Sequence, residues 1–558
     1  MSDQSVITAE SIGTAARFDP QLRVPQKPRL RRGLVVSCES DQVVVQGPPK
    51  KQLFRGRSAT DLLPGLLERL DGTRSHGELA AELGRTEEVV FKALSLLWTC
   101  GVVEEGPPDG APAGEIDDDL ADYLSRIGSA TEANAAWEQA AVRLRTARVE
   151  IFGPHAVSEL LRAELAGSVP ATTSDHALPS AGTTLAVWID SSPDGSAPDE
   201  AAPDDAAPGE ALSERRRVLA AHCWDEGIPL LRLRLSGRRA ALGPFVDPRT
   251  TPCLDCLVVD DETDDRTAVD GDHALAVALF ARDLFAAVSR TTPSPLPMRW
   301  RSVDLETLAH RDTSSATRPG CPRCSIAEGP TAQRASLATR FEASVAMPPK
   351  EFADLKSHQM HYKPSNLALQ RVSRTWPVAP AVELPAPLHD RLSRQWPASE
   401  LDAAALSLVL SVTAGIASIS DERVARWTAS GGNIGSVTAY AVVRDVPGIA
   451  PGIYGYVATE HRLARLSSGT GAVDGDSPAT VVLSGDFPKV ARKYSAFALR
   501  IVLLDSGCAQ ATAREAARVL GLGLALRPDW DDDAVAAGLG VDPDVEPITA
   551  VIDLGGGR

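Results

Sequence analysis

Four of the eight cysteines form two Cys-x-x-Cys pairs, Cys253 with Cys256 and Cys321 with Cys324. A Cys-x-x-Cys turn brings two thiolates close together, and two such turns complete a tetrahedral Zn²⁺ site. Four thiolates leave no coordination position for water, so we expect this site to be structural. Ordinary buried thiols are the alternative, and the matched spacing of both pairs favours zinc.

An adjacent lysine and tyrosine, Lys493 and Tyr494, could exchange a proton with a bound substrate. A neighbouring ammonium group lowers the pKa of a phenol, which would make Tyr494 a better base. We expect a strand over residues 498–504 to follow the pair. Taken alone, the dipeptide is also compatible with a solvated surface pair.

The segment from Ser430 to Gly435 is rich in glycine and precedes a predicted strand over residues 439–443. Glycines there would let a planar ring lie close to backbone amides. Arg391, Ser393 and Arg394 stand at a predicted helix start, where charge and a hydroxyl could hold a phosphate. Each of these two signals is weak by itself.

The chain does not favour a nucleotide site after its first central strand, predicted over residues 148–152. A dinucleotide loop would have Gly-x-Gly-x-x-Gly at that turn. Here Gly153 is followed by Pro154, which lacks an amide donor, and His155 stands in place of the second glycine. We therefore predict a strand–helix turn without a working nucleotide site.

Three regions with different patterns must position these residues. Residues 34–105 are predicted to form short strands, three helices and a closing strand, the order of a winged helix-turn-helix. Strands and helices then alternate over residues 148–235, which indicates a parallel α/β sheet. The last region mixes long Ala/Leu-rich helices with short strands, an α+β pattern. The predicted fold class is thus multidomain, α/β and α+β.

The predicted domain boundaries follow from these patterns and from shifts in composition. We expect a flexible N-terminus, a winged-helix domain, an α/β domain with a disordered Ala/Pro/Asp insertion, a Pro-rich linker and an α+β domain. These are residues 1–30, 31–108, 130–330 (insertion 191–211), 346–387 and 388–558, respectively.

The formal net charge of −17 and the pI of about 5.1 argue against sequence-independent binding to nucleic acid. The predicted recognition helix, residues 87–99, begins with two acids, so a peptide partner fits the winged helix better than DNA does. A purely structural winged helix is the other alternative. No secretory signal or apolar membrane span is visible, which predicts a cytoplasmic protein without a membrane partner.

The motifs of the last region, taken together, resemble the SagB-type dehydrogenases of the nitroreductase superfamily. The resemblance covers about residues 388–555 and is carried by residues 427–433 (WTASGGN), 438–454 (TAYAVVRDVPGIAPGIY) and 492–494 (RKY). In that family an FMN oxidises peptide thiazolines and oxazolines to thiazoles and oxazoles. The resemblance implies the same cofactor and reaction here.

The resemblance also implies a role for each candidate residue. Lys493 and Tyr494 match the catalytic pair. Leu392 and Gln395 stand where the family pattern has further arginines. The implied FMN-binding residues are a phosphate grip (Arg391, Ser393, Arg394), the loop beside the flavin (Ser430, Gly431, Gly432, Asn433) and a late Gly-Leu-Gly (Gly521, Gly523).

Residues 243–256 (GPFVDPRTTPCLDC) resemble the ThiF-like partner proteins of azole-peptide cyclodehydratases. Those partners carry a zinc tetrathiolate and have often lost ATP binding, which agrees with the turn at Gly153. They bind a leader peptide between the third strand (here about 52–57) and the third helix (here about 87–97) of a winged-helix recognition element. No segment resembles the ATP-using YcaO cyclodehydratase, so a separate YcaO protein is implied.

Together the resemblances imply a leader-peptide-dependent FMN oxidoreductase that converts azolines to azoles in a ribosomally made peptide and recruits that peptide to YcaO. The alternative is a non-catalytic leader-binding scaffold that activates YcaO and contains a decayed flavin domain. An adenylating enzyme and a DNA-binding regulator are disfavoured by the Gly153 turn and the acidic charge. Nitroreductase-like domains usually build their flavin site across a dimer, which predicts a homodimer by analogy.

Overall fold

A computed structural model of the 558-residue chain describes residues 7–19, 22–48, 50–107, 116–128, 131, 133–191, 208–353, 368–397, 399–420, 424–471 and 473–555. Most of the predicted insertion (191–211), much of the predicted linker (346–387) and the predicted boundaries at 108 and 130 lie outside these residues. The chain divides into two compact units, Ile7–Gln359 and Met360–Arg558. In the described parts, every helix is too short or too polar to cross a lipid bilayer.

The first unit begins with a small domain of short strands and helices. Strands β2, β3 and β4 form an antiparallel sheet in that order, and β1 pairs with β5. Its core includes Val45, Leu66 and Leu94. The elements are α1 Ala9–Phe18, β1 Pro28–Leu30, β2 Val35–Cys38, β3 Gln42–Gln46, β4 Gln52–Arg55, α2 Arg57–Asp61, α3 Leu63–Leu67, α4 His76–Leu83, α5 Glu87–Thr99 and β5 Val103–Glu105.

Two features of this domain differ from the sequence prediction. Helix α1 and strand β1 lie within the segment predicted to be flexible, because Thr8 caps the helix and Ile12 is buried. The single helix predicted over residues 61–70 is instead two short helices. Pro64 lies in the first turn of the second one, where its missing N–H interrupts a continuous helix.

The rest of the first unit is built on one mixed sheet in the order β12-β11-β10-β9-β8-β6-β7. Strands β6 to β9 are parallel, as the α/β pattern predicted, and β10 to β12 extend the sheet in antiparallel fashion. The elements are α6 Asp118–Ile127, α7 Trp137–Thr146, β6 Val149–Phe152, α8 His155–Glu164, β7 Ala171–Thr173, β8 Leu185–Ser191, α9 Pro208–Asp225, β9 Leu230–Ser236, β10 Arg239–Val246, α10 Leu254–Leu257, α11 Asp272–Ser289, β11 Arg299–Asp304, β12 His310–Ser314 and α12 Leu337–Ser344.

The second unit is an antiparallel sheet in the order β13-β18-β17-β16-β19-β21-β20, with a separate β14–β15 hairpin. Apolar residues of α13 and α15, such as Leu406 and Ala513, share one core with Leu483 and Ile552 of the sheet. The elements are β13 Ala381–Glu383, α13 Ala403–Ala414, β14 Ile416–Ile419, β15 Val424–Arg426, β16 Val437–Val443, β17 Gly452–Val457, β18 Arg462–Ser467, β19 Ala479–Gly485, α14 Phe487–Tyr494, α15 Ala498–Leu520, β20 Leu524–Leu526, α16 Asp532–Leu539 and β21 Ile548–Leu554.

Two local predictions in this unit are wrong. Residues 498–504 are not a strand but the first turns of α15, where burial recurs at helical spacing at Ala498, Val502 and Asp505. The aliphatic run of this segment is compatible with either structure, and the packing decides. The predicted helix start at residues 391–394 is only the short 3-10 turn His389–Ser393, and α13 begins later, at Ala403.

Candidate functional site

The glycine loop, residues 430–435, connects β15 to β16 and is held by a single carboxylate. Asp505 of α15 is 6% exposed. It accepts hydrogen bonds from Ser430 Oγ at 2.8 Å, Gly431 N at 2.8 Å and Ser436 Oγ at 2.6 Å. Hydrogen bonds to a charged acceptor are among the strongest in proteins, so Asp505 fixes the shape of the loop.

Gly432 brings this loop against the Lys-Tyr pair. Its φ of +58° lies in the left-handed region, and a Cβ placed on it would sit 2.2 Å from Lys493 Nζ and 2.7 Å from the Tyr494 hydroxyl oxygen. Lys493 and Tyr494 are the last two residues of α14. The glycine loop and the Lys-Tyr pair are two separate weak signals in the sequence, and in the structure they form one site. Only glycine fits at the centre of this site.

Burial shifts the pKa values of the pair in opposite directions. It lowers the pKa of Lys493 and raises the pKa of Tyr494, with the Asp505 charge adding to the rise. The Lys493 ammonium lies 5.2 Å from the centroid of the Tyr494 ring. The expected lowering of the Tyr494 pKa by Lys493 is therefore wrong, since desolvation of the phenol dominates.

A strap of residues 368–376, from the region predicted to be a linker, closes on the glycine loop. Gln370 Nε2 donates to the Gly432 carbonyl at 3.1 Å, and Arg426 Nη2 donates to the Gln370 carbonyl at 2.6 Å. Lys489 Nζ bridges the strap and the loop through the carbonyls of Val372 at 2.9 Å and Gly435 at 2.7 Å.

Lys489 is the most deeply buried lysine of this site, with 7% of its surface exposed. Burial lowers its pKa to about 8, and the nearby positive charge of Arg426 adds to that effect. Asp486 Oδ2 lies 4.0 Å away and partly compensates the charge. A buried cation that hydrogen-bonds two carbonyls serves to position the backbone around it.

Sequence reasoning missed Arg426, Lys489 and Asp505. Two of them carry a local signal that could have found them. Asp505 is a single acid in an otherwise aliphatic stretch of α15, and Arg426 directly precedes the motif that carries the family resemblance. Lys489 carries none, because a lysine in a polar helix usually lies in solvent.

A groove lies between α13, the glycine loop and the strap. One part, with about 270 Å³ of open space, is lined by Thr413, Ser430 and Asp505 among others. A second part of about 340 Å³ is lined by Val372 and Lys489, and both parts share Arg426. Each part is near the lower end of typical ligand pockets, about 300 Å³, so each fits one portion of a larger ligand.

The predicted phosphate grip lies elsewhere in this unit. The guanidinium groups of Arg391 and Arg394 stack on the Trp396 ring, 5.4 Å and 4.1 Å from its centroid. Ser393 Oγ donates to the Asp390 carbonyl at 2.6 Å. Among the described residues, none of the hydrogen bonds joins these three side chains to the glycine loop.

The C-terminal end of α15 anchors the segment that carries the predicted phosphate grip. Trp396 N donates to the Val519 carbonyl at 2.8 Å. Gly521 ends α15 with a φ of +70°, and the Gly523 carbonyl accepts from Gly555 N. Asp505 and Val519 are fourteen residues apart, about 21 Å along a helix. The glycine loop and the anchor of the phosphate grip are thus far apart along α15.

The four predicted zinc ligands converge in the first unit. All their sulfur atoms lie within 4.8 Å of one another, with Cys253–Cys321 at 3.7 Å and Cys256–Cys324 at 3.6 Å. Four sulfurs at tetrahedral corners about 2.3 Å from a zinc ion would be about 3.8 Å apart. The donor set and spacing therefore fit a zinc tetrathiolate, without an open position for a substrate.

The turn after β6 is not arranged for a nucleotide. Gly153 has a φ of +139°, and a Cβ on it would sit 2.5 Å from the Ile189 carbonyl oxygen, so packing against β8 explains this glycine. At the carboxyl end of β8, Asp190 forms an ion pair with Arg232, which is fully buried and also paired with Asp261. These charges satisfy one another at the place where the ligand of a parallel sheet would bind.

The predicted leader-binding surface has unpaired backbone and exposed apolar groups. Strand β4 is at one edge of its sheet. Leu53 on this strand is 49% exposed, and Val89 on α5 is 41% exposed. An edge strand with an exposed apolar side chain is suited to pairing with an extended peptide.

Neither a protein-family model nor a curated protein sequence matches the chain. Solved structures are similar to it. The heterocyclase TruD is 15% identical over 80% of this chain and 63% of its own, with a TM-score of 0.38. An Anabaena variabilis structure assigned as a nitroreductase is 21% identical over 36% and 45%, with a TM-score of 0.27. MccB from E. coli is 10% identical over 54% and 97%, with a TM-score of 0.38.

The chain thus spans less than two thirds of the length of the first two of these structures. Its structural neighbours include heterocyclases, MccB and nitroreductases.

Proposed function

We propose that the unit from Met360 to Arg558 is an FMN-dependent dehydrogenase that oxidises peptide azolines to azoles. The observation that carries the proposal is the close approach of Gly432 to Lys493 and Tyr494. It joins a glycine-rich loop, suited to a flat ring, to a pair of groups that can accept a proton. The family resemblance adds the reaction class.

The residues present fit the cofactor at its ring end. When bound, FMN supplies an acceptor for two electrons. Gly431 and Gly432 let the loop backbone lie directly against Ile501 and Lys493, where a Cβ would collide, and Asp505 keeps the loop in place. Arg391, which is half-buried, and Arg394, which is exposed, supply cationic groups for a phosphate, although both stack on Trp396.

Oxidation of an azoline removes two hydrogens from the ring, one of which leaves as a proton. The residue types alone favour Tyr494 as the proton acceptor, but burial makes Lys493 the better base. A lowered pKa brings the neutral amine closer to physiological pH, whereas a raised pKa keeps Tyr494 protonated. Lys493 then accepts the proton, and Tyr494 orients the ring through its hydroxyl.

The first unit would deliver the peptide. We propose that residues 31–108 form a winged-helix recognition element, with the leader paired along β4 against Leu53 and Val89. The four cysteines would hold one structural Zn²⁺. A separate YcaO protein would form the azoline before this chain oxidises it.

A homodimer is part of the proposal. Leu503 and Leu504 on α15 are 49% and 57% exposed, close in sequence to Asp505 of the site. Large apolar side chains on a helix next to a site are suited to burial against a second copy. Sedimentation equilibrium of the full chain should show a dimer for wild type and a monomer for Leu504→Glu. A monomeric wild type, or a dimer that Leu504→Glu leaves intact, would contradict this interface.

Peptide mass tests the catalytic assignment. A precursor peptide carrying YcaO-made azolines should lose about 2 Da per ring with the wild-type protein, since two hydrogens leave. The Lys493→Ala/Tyr494→Phe variant should leave each ring 2 Da heavier while the peptide still binds. Equal product masses for wild type and variant would overturn the assignment.

The scaffold alternative is supported by one specific observation. Arg391 and Arg394 stack on Trp396, and the sequence has Leu392 and Gln395 where the family has further arginines. If the flavin domain has decayed, the chain binds peptide and stimulates YcaO without taking up flavin. Flavin content and YcaO activity, measured on the same preparation, separate the two functions.

A further inference from the structure

One face of the sheet in the first unit carries three arginines. In the register of the strands, Arg234 of β9 stands in one row with Arg311 of β12, and the two positions between them are Ala241 and Ser302. Arg239 is two residues before Ala241 on β10, so it projects from the same face. The opposite face of these strands packs into the apolar core. Here the sheet therefore has an apolar face and a cationic face.

The cationic face borders a groove, which we call the arginine groove, with about 360 Å³ of open space. Ala241, Ser302 and Thr313 line it between the arginines, and their small side chains leave this space. Neighbouring strands lie about 4.8 Å apart, so the backbones at Arg234 and Arg311 are about 14 Å apart. That distance exceeds the size of a single carboxylate or phosphate and equals about four residues of extended chain.

Glu262 shows which chemical group the arginine groove accepts. One oxygen of its carboxylate is bonded by Arg239 Nη1 at 2.5 Å and the other by Arg311 Nη2 at 2.6 Å. Arg234 Nη1 donates to the backbone carbonyl of the same residue. The side chains of Glu262 and Arg311 are 40% and 63% exposed. Because solvent screens such a surface pair, another carboxylate can exchange with it.

The arginine groove has more cations than acids to neutralise them. The second acid of its lining, Asp261, is bonded through both oxygens by the buried Arg232, at 3.0 Å and 2.8 Å. Asp264 and Asp304 are bonded by a further arginine outside the lining. Of the described lining residues, only Glu262 is left to share among three arginines. In a chain with a net charge of −17, this local excess of cations favours an acidic ligand.

We propose that the arginine groove docks an extended, acidic segment of a partner protein, with carboxylates about four residues apart that pair with Arg234 and Arg311. In the free protein, Glu262 takes the place of one of these carboxylates, and the partner displaces it. The spread of the cations over about 14 Å favours a peptide over a single small anion. The proposal is independent of the proposed dehydrogenation, because it uses residues of the first unit alone.

Glu262→Gln tests the displacement. Fluorescence anisotropy of fluorescein-labelled octaglutamate, at low salt and with the full-length protein, should show binding that this variant tightens about 2- to 5-fold, since the competing carboxylate is gone. Glu159→Gln is the matched control, because it changes the net charge equally. Glu159 pairs with Arg162 at 2.8 Å on α8, which packs against the apolar face of the sheet. Unchanged affinity in Glu262→Gln, or an equal gain in both variants, would overturn the proposal.

Arg311→Gln tests the cationic face itself. This variant should bind octaglutamate at least about 5-fold more weakly, because it loses a charged hydrogen-bond donor. Arg162→Gln has the same change in charge outside the groove and should keep wild-type affinity. Thermal unfolding should show that both variants are folded, since both side chains are largely exposed. Wild type that binds no octaglutamate, or equal losses in the two variants, would overturn the docking site.

Two further measurements separate the partner peptide from other occupants. Octathymidylate, a phosphate polymer, should bind more weakly than octaglutamate. Equal binding with the same loss in Arg311→Gln would make the groove a general anion site and overturn the assignment to a peptide. Sedimentation equilibrium should give the same oligomeric state for wild type and Arg311→Gln. A changed state would assign the groove to a second copy of this chain and overturn the assignment to a partner protein.

Discussion

A side chain on Gly432 would collide with Lys493: the Cβ would lie 2.2 Å from Lys493 Nζ. Glycine is thus required here for two reasons, the positive φ of the backbone and the space taken by the lysine. The contact links the β15–β16 loop to the end of α14, and it defines the place where a ring and a proton acceptor could meet.

Gly432→Ala should abolish most of the dehydrogenation while the protein stays folded. The new Cβ displaces Lys493 and Tyr494, and displacements of about 1 Å can cost about 100-fold in rate. Gly540→Ala is the matched control, with a similar φ of +69° and nothing within 4 Å of the new Cβ. Both variants carry backbone strain of about 1 kcal/mol, so only the collision separates their rates. Equal rates would contradict the role of this contact.

The rate of azoline oxidation should rise with pH. A base must be neutral to accept a proton, and burial lowers the pKa of Lys493 below its ordinary 10.5. The profile of kcat/KM should therefore rise and level off below pH 10.5. Tyr494→Phe should keep this rise and Lys493→Arg should lose it. The reverse pattern would make Tyr494 the base.

Lys489 should make unfolding stability depend on pH. Its pKa is about 8 when folded, below the ordinary 10.5, so between these pH values the unfolded chain binds more protons. Stability then rises with pH across this window, by at most about 3 kcal/mol. Below pH 8 the contribution of Lys489 to the free energy of unfolding is constant. Urea unfolding should therefore show that the free energy of wild type rises more steeply between pH 8 and 10.5 than that of Lys489→Met. Parallel curves of unfolding free energy against pH would contradict this role of Lys489.

The purified protein should contain one zinc ion per chain. Cys253→Ser should lose the metal and the stability it provides. Cys223→Ser is the matched control, because Cys223 and Cys253 are both 1% exposed and only Cys253 belongs to the cluster. The control loses stability and keeps its zinc. Atomic emission measures the metal, and zinc retained by Cys253→Ser would contradict the site.

Local signals explain what the sequence predicts well. Helix α5 begins and ends where predicted, because Thr86 caps it and its apolar spacing is regular. The zinc ligands are equally local, since each Cys-x-x-Cys turn already sets half of the cluster. The pair Lys493 and Tyr494 is found through a motif that stays recognisable without the fold.

Non-local contacts explain what the sequence does not predict. Asp505 binds Ser430 across 75 residues, and no short pattern links the two. Lys489 bonds Val372 in the strap and Gly435 in the glycine loop across 117 and 54 residues, respectively. Residues 498–504 are aliphatic enough for a strand or a helix, and packing of α15 against α13 decides.

The visible absorption spectrum of the purified full-length protein tests the central claim most directly. The account predicts flavin bands in the blue region after addition of FMN and removal of the excess, and their bleaching on incubation with an azoline-containing peptide without oxygen. A protein that stays colourless after FMN addition, while it still contains zinc, would contradict the dehydrogenase and favour the scaffold.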